Sequence, residues 1–177
     1  HKGSRPPYQP PRNVRQKYMS NTIHDIRIDP RNTDILISIN GTLVPREKAM
    51  VSVFDSGFIL GDGVWEGLRM VKGGVPVLRE HIERLYEGAK AIFMDIGIAP
   101  QDLVSRLFEC LDANGMEDGV HIRLMVTRGV KLTPYQDPRL TISPATIVII
   151  PEYKAPRPEL FDKGMSLFTV NVRRGYP

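Results

Sequence analysis

Midway along this chain the hydrophobic period changes from that of helices to that of strands, and that change limits its fold more than any other feature. Over residues 79–94, Ile82, Leu85, Tyr86, Ala89 and Phe93 recur at helical spacing and form one apolar stripe. A second helix follows Pro100, a residue suited to a first helical position. Leu103, Leu107, Phe108 and Leu111 make its stripe, and Asn114-Gly115 ends it. From Val120 the period falls to two. Val120 to Thr127, Thr146 to Ile150 and Met165 to Val172 read as strands.

Upstream of the helices the signals are those of hairpins. Residues 35–41 read as a strand running into an Asn40-Gly41 turn, with Thr42-Leu43-Val44 as its partner and Pro45 as its stop. Ala49 to Phe54 is a short apolar stretch, and residues 57–63 form a glycine-spaced loop. Leu68 to Val71 and Val75 to Leu78 flank Lys72-Gly73-Gly74 and predict a second hairpin. A Pro-bearing loop spans residues 129–144. The fold class this predicts is α+β: an antiparallel sheet with two helices.

Charge separates a tail from a body. Residues 1–18 carry Lys2, Arg5, Arg12, Arg15 and Lys17 and no acid, whereas the other 159 residues hold 19 bases and 20 acids. The balanced body argues against a nucleic-acid-binding domain. Four prolines in the tail, Pro6, Pro7, Pro10 and Pro11, spoil an amphipathic helix, so 1–18 is expected to be disordered, with Met19 a plausible original start. With 41% hydrophobic residues the body is ordinary globular material. Cys110 is the only cysteine, which excludes an internal disulfide and fits a reducing compartment, here the cytoplasm. No apolar run approaches the length of a membrane span. The four histidines, His1, His24, His81 and His121, show no metal-ligand spacing.

Two faces could carry chemistry. On the first helix His81, Arg84 and Gly88 lie three and four residues apart, off the apolar stripe. An Arg one turn from a glycine suits a phosphate; a solvated helix face explains the same pattern. On the strand 120–127, His121 and Arg123 share a face with Met125 and Thr127. That face meets solvent or lines a site for a carboxylate. Gly61-Asp62-Gly63 reads as a tight turn, without a dinucleotide or Walker pattern.

The stretch Phe54-Asp-Ser-Gly-Phe-Ile-Leu-Gly-Asp-Gly-Val-Trp-Glu-Gly-Leu-Arg69, followed by Glu80-His-Ile-Glu-Arg-Leu85, resembles the class IV aminotransferases, the fold type IV pyridoxal-phosphate enzymes. His121-Ile-Arg-Leu-Met-Val-Thr-Arg-Gly129 and Pro156-Arg-Pro158 agree with it, so the resemblance covers about residues 35–177. It implies an enzyme that binds pyridoxal 5'-phosphate and moves an amino group from an amino acid or amine to a 2-oxo acid. It implies that Arg84 holds the cofactor phosphate. Trp65 and Gly67 match pocket positions. Arg123 matches the strand arginine of branched-chain enzymes, which faces a carboxylate or side chain; His121 stands where those enzymes often carry Tyr. The loop 129–138, with Tyr135, supplies further pocket wall. The carboxylate-binding Arg and His of D-amino-acid enzymes fall on Thr133 and Tyr135, and the pocket Tyr of branched-chain enzymes on Leu60. The family's Schiff-base lysine lies past the strand ending near Arg174; Lys131, Lys154 and Lys163 have the wrong context, so no catalytic residue is assigned. The resemblance therefore implies an N-terminal domain over 19–172 and the start of an interdomain connection over 173–177. A homodimer, with no nucleic-acid or membrane partner, is expected by analogy. An aminodeoxychorismate-lyase-like enzyme and a non-catalytic interaction module are the alternatives.

Overall fold

The computed structural model describes residues 29–154, 161, 162, 164, 166–169, 171 and 172. The chain divides into two units with the boundary between Pro30 and Arg31. The tail over 1–18 and the connection over 173–177 lie outside the described residues.

Within the second unit, five strands form one antiparallel sheet in the order β2-β1-β5-β4-β3. These are β1 (Leu36–Ile39), β2 (Thr42–Pro45), β3 (Gly63–Met70), β4 (Val120–Thr127) and β5 (Thr146–Tyr153). Asn40 and Gly41, both at positive φ, turn β1 into β2 as the Asn-Gly pair predicts. Among the described residues three α-helices have full bounds: α1 (Ser56–Leu60), α2 (Leu78–Ala91) and α3 (Pro100–Ala113). In α2, Ile82, Leu85 and Ala89 are buried; in α3, Leu103, Leu107, Cys110 and Leu111 are. They join Leu68, Met70, Ile122, Leu124, Val126, Ile147 and Ile149, so α2 and α3 share a core with one face of the sheet. The other face carries Ile37, Ile39, Trp65, Arg123, Met125, Val148 and Ile150, and no described helix of the core lies on it.

Four sequence expectations need correction. The hairpin over 68–78 does not form. Leu68–Met70 instead ends the eight-residue strand β3, whose partner along its whole length is β4. Val71 and Gly74 make only an isolated bridge, and Val75 to Val77 leads into α2. Pro76 has no N–H to give a ladder, and the distant β4 is an apolar partner that local spacing does not reveal. The glycine loop begins as helix: the Asp55 side chain accepts from Gly57 N at 2.9 Å and caps α1. Phe93 leaves the stripe, because α2 stops at Ala91 and Phe93 sits at φ 53°, 93% exposed. Of the strand predicted over 165–172, Met165 and Val170 lie outside the described residues, and the described ones carry no strand pairing and are exposed.

β5 continues three residues past the predicted Ile150, through Pro151. The β1–β5 pairing stops at Ser38 and Ile149, so no β1 ladder bond is asked of the proline. Leu36, which that register would set against Pro151, finds a substitute partner in the side chain after α3. Asn114 Oδ1 accepts from Leu36 N at 2.7 Å, and Asn114 Nδ2 donates to Leu36 O at 3.0 Å. Replacing Asn114 by Ala strands Leu36 N, leaves Leu36 O with only the weak Cys110 thiol donor at 3.7 Å, and should cost about 2 kcal/mol, measured as a shift in the urea unfolding midpoint with m unchanged.

Candidate active site

The site is organised by β3, an edge strand whose side chains alternate between two faces. Glu66 points to the helix-covered face, where it is buried. There it meets α2. Arg84 Nε donates to Glu66 Oε1 at 2.6 Å and Arg84 Nη2 to Oε2 at 2.5 Å, a bidentate fork. His81 Nδ1 lies 2.8 Å from Glu66 Oε2, so the carboxylate selects the Nδ1–H tautomer and collects a third donor. The fork of Arg84, helped by His81, holds the Glu66 carboxyl below its ordinary pKa against the opposing effect of burial. Arg84 itself is 67% exposed along its side chain while Glu66 is 6%. Among the described residues its Nη1 has no acceptor. A guanidinium fixed in this way, with one nitrogen unpartnered, has the chemistry to receive an anion.

Trp65 and Gly67 point the other way. By register Trp65 pairs with Met125 and Gly67 with Arg123, so all four share the open face. The Arg123 guanidinium stacks 4.7 Å from the Trp65 ring centroid. A Cβ on Gly67 would sit 3.7 Å from both His121 Nε2 and Trp65 Cζ3, so the glycine leaves a slot between them. Trp65, Met125, Val148, Ile150 and Phe58 line an apolar cavity of about 490 Å³. A second cavity of about 290 Å³ adjoins it, sharing Ile37, Arg46 and Ile150 with the first and bordered by His121, Arg123, Glu152 and Lys154. Burial and the positive charges of Lys154, Arg69 and Arg123 push the His121 pKa down, which favours its neutral form. The open face thus offers an apolar bed with a cationic end.

Gly63 and Arg128 hold the start of β3 in place. A Cβ on Gly63 would lie 2.6 Å from the Val126 carbonyl oxygen, so only glycine permits this approach of β3 to β4. Arg128 Nε donates to Asp62 Oδ2 at 2.6 Å, while Nη1 and Nη2 donate to the carbonyls of Phe93 and Ile92 at 2.9 and 2.8 Å. One guanidinium therefore ties the glycine turn, the end of β4 and the end of α2 together.

The structure brings Trp65, Gly67 and Arg123 together, and sets Arg84 across the thickness of β3 from them. Tyr135 is exposed on the 129–144 loop and lines neither cavity. Glu66 received no role from the sequence: with Gly67 beside it and Gly63 before it, the strand's broken apolar pattern conceals a buried position.

The sequence profile of the amino-transferase class IV family matches residues 63–176. The chain belongs to the class IV aminotransferases. Branched-chain-amino-acid aminotransferase-like protein 1 of Arabidopsis thaliana is 40% identical over 150 residues, which are 84% of this chain and 26% of that protein. The putative branched-chain-amino-acid aminotransferase of Methanocaldococcus jannaschii is 41% identical over 139 residues, 78% of this chain and 46% of that protein. The chain therefore spans between a quarter and a half of the length of these relatives. The branched-chain aminotransferase of the thermophilic archaeon Thermoproteus uzoniensis, solved with norvaline, superposes with a TM-score of 0.57 at 28% identity, over 67% of this chain and 40% of that one. The α+β sheet with its helices is accordingly the N-terminal domain of the fold type IV aminotransferases. Among the described residues no cluster of side chains could hold a metal, and no helix is long and apolar enough to cross a membrane.

The Glu66 fork gives this aminotransferase domain a pH signature. A carboxyl whose folded pKa is depressed stabilises the fold above its ordinary value, and the contribution is lost as pH falls through the folded pKa. Glu66→Gln should lower stability by about 1–2 kcal/mol at pH 7, discounted for the exposure of Arg84. The gap to wild type should close as Glu66 protonates, read from unfolding midpoints between pH 7 and pH 3.

Proposed function

We propose that this chain forms one lobe of a pyridoxal-phosphate-dependent aminotransferase, which moves an amino group from an amino acid or amine to a 2-oxo acid. The observation that carries the proposal is the Arg84 fork: a buried carboxylate pins two nitrogens of an exposed guanidinium, and Nη1 has no acceptor among the described residues. This fits the phosphate end of the cofactor, because a phosphate monoester asks for a pre-oriented cation with free N–H groups. When bound, pyridoxal phosphate supplies the electron sink for labilising bonds at the amino-bearing carbon.

The chain's own residues supply placement. Arg84 anchors the phosphate, and Glu66 and His81 keep Arg84 from swinging. The Trp65 ring forms a wall that excludes water, and the apolar bed of Met125, Val148 and Ile150 receives a hydrocarbon side chain. Arg123, braced on that ring, offers its charge to a carboxylate. The edge strand brings these two roles within one strand's thickness. The exposed apolar side chains of Met50, Val53, Phe54 and Phe58 support burial against further protein, in keeping with a homodimer.

In the complete enzyme, Arg84→Ala should weaken pyridoxal phosphate binding about 10- to 100-fold, the loss of a charge-assisted pair of bonds. Equilibrium dialysis against the cofactor reads this, and unchanged affinity would remove Arg84 from the site. Arg123→Ala should raise KM about tenfold for substrates with a second carboxylate and leave kcat nearly unchanged. Steady-state kinetics on matched mono- and dicarboxylate acceptors separate this from a general loss of stability.

A further inference from the structure

Lys131 has no part in the chemistry above, and its setting is unusual. It is 1% exposed, the largest fully buried side chain among the described residues. Across residues 132–140, which follow it, no other side chain is buried: Leu132 to Gln136, Pro138 and Arg139 are exposed, and Asp137 and Leu140 are half-buried. The loop has no apolar core of its own. Its backbone closes at the base, where Leu132 N donates to Leu140 O and Ile142 N to Val130 O, both at 2.9 Å. At the far side, Lys131 Nζ donates to the Asp137 carbonyl at 3.0 Å. The lysine stem thus fills the space beneath the loop, and its head reaches the opposite limb.

Asp137 is the hinge of that limb. Its carboxylate accepts from Arg139 N at 2.9 Å and from the Arg139 guanidinium, and caps the short helical turn Pro138–Leu140. Arg139 foremost, with a smaller effect from the charge of Lys131, holds this carboxyl down to about 2. Asp137 O also accepts from Leu140 N at 3.2 Å. Fixing that carbonyl therefore fixes the turn.

Burying an ammonium is unfavourable, and one bond to a neutral carbonyl with a weak pull from the Asp137 carboxylate does little to offset it. A leucine or methionine would fill the space at lower cost. A lysine gains something only in specifying which loop shape is adopted. The base of the loop is also the edge of the large cavity: Lys131 N donates to Phe54 O at 2.9 Å, Val130 bridges Asp55, and Asp55, Gly57 and Phe58 line the cavity. Gly129, at φ +104° and with a virtual Cβ 2.3 Å from the Pro144 carbonyl oxygen, allows the chain to turn into this position.

We infer that Lys131 is a positioning residue: its buried ammonium, by holding the Asp137 carbonyl, sets the shape of the 132–140 loop and the place of Leu132 and Tyr135 upon it. That this loop meets substrate rests on the aminotransferase reading and on the pocket-wall role that the family resemblance implies for residues 129–138; that Lys131 shapes it does not.

The test compares wild type with Lys131→Met, which keeps the stem and removes the donor, and Lys131→Arg, which restores a donor. Amide hydrogen exchange on this chain should rise about tenfold at Leu132, Leu140, Thr141 and Ile142 in Lys131→Met, with Leu124 and Ile149 within about twofold. Lys131→Arg should return the loop amides towards wild type. Loop exchange equal to wild type in Lys131→Met overturns the inference, and so does an equal rise across β4 and β5, which would make Lys131 ordinary core. Should Lys131→Met not fold, the wild-type protein decides: a Lys131 ammonium signal in nitrogen-15 spectra, scalar-coupled to the Asp137 carbonyl carbon, is required, and its absence overturns the inference. In the complete enzyme, Lys131→Met should raise KM for the 2-oxo acid about fivefold with kcat within about twofold, and Lys131→Arg should reverse this. Faster loop exchange with unmoved KM supports the hold of Lys131 on the loop and counts against the loop's place in the substrate site.

Discussion

The bidentate contact between Glu66 and Arg84 is the interaction on which the site depends. An arginine on a helix surface samples many rotamers, and holding it in one costs entropy. Here the carboxylate that holds it belongs to a strand, is buried, and is itself held by His81. The cation is therefore fixed relative to the sheet rather than to its own helix alone. Because successive residues of β3 face opposite ways, fixing Glu66 also fixes where Trp65 and Gly67 stand on the other side. A cation and an apolar wall are set in register by one peptide geometry.

That register is protected where β3 begins. The close approach at Gly63, the Asp62–Arg128 pair and the contacts of Arg128 with the end of α2 join segments far apart in the chain. Asp55 adds to them, accepting from Thr127 Oγ1 at 2.9 Å while it caps α1. A strand that must serve two faces cannot slide by one residue, since a slip would exchange Glu66 with Trp65. The polar knot at residues 62, 92, 93 and 128 makes such a slip costly.

Much of this was legible in the sequence, and the limits have physical reasons. The stripes of α2 and α3 and the alternation of β4 were plain, because each repeats an apolar residue at its own period over eight residues or more. β3 was not, since Gly63, Glu66 and Gly67 interrupt its apolar set and its partner β4 lies some sixty residues away. Arg84 could be picked out by its face and by family likeness, but Glu66 could not. A buried carboxylate is recognisable only from the cations that gather round it, and those come from another element. Phe93 failed for a local reason, the positive φ that ends α2 and throws the ring outward. Lys131 is out of context for cofactor chemistry, and nothing in its neighbours in sequence announces that the chain will wrap around it.

The two borders of the sheet are unlike. β2 is four residues long, ends in Pro45 and runs directly into Arg46 and Lys48, the features by which natural sheets discourage further strands from adding. β3 is twice as long and has no strand beyond it among the described residues. Its outward amides and carbonyls form a template for intermolecular pairing. Produced by itself, this lobe carries an aggregation hazard along the β3 margin, and covering that margin removes it.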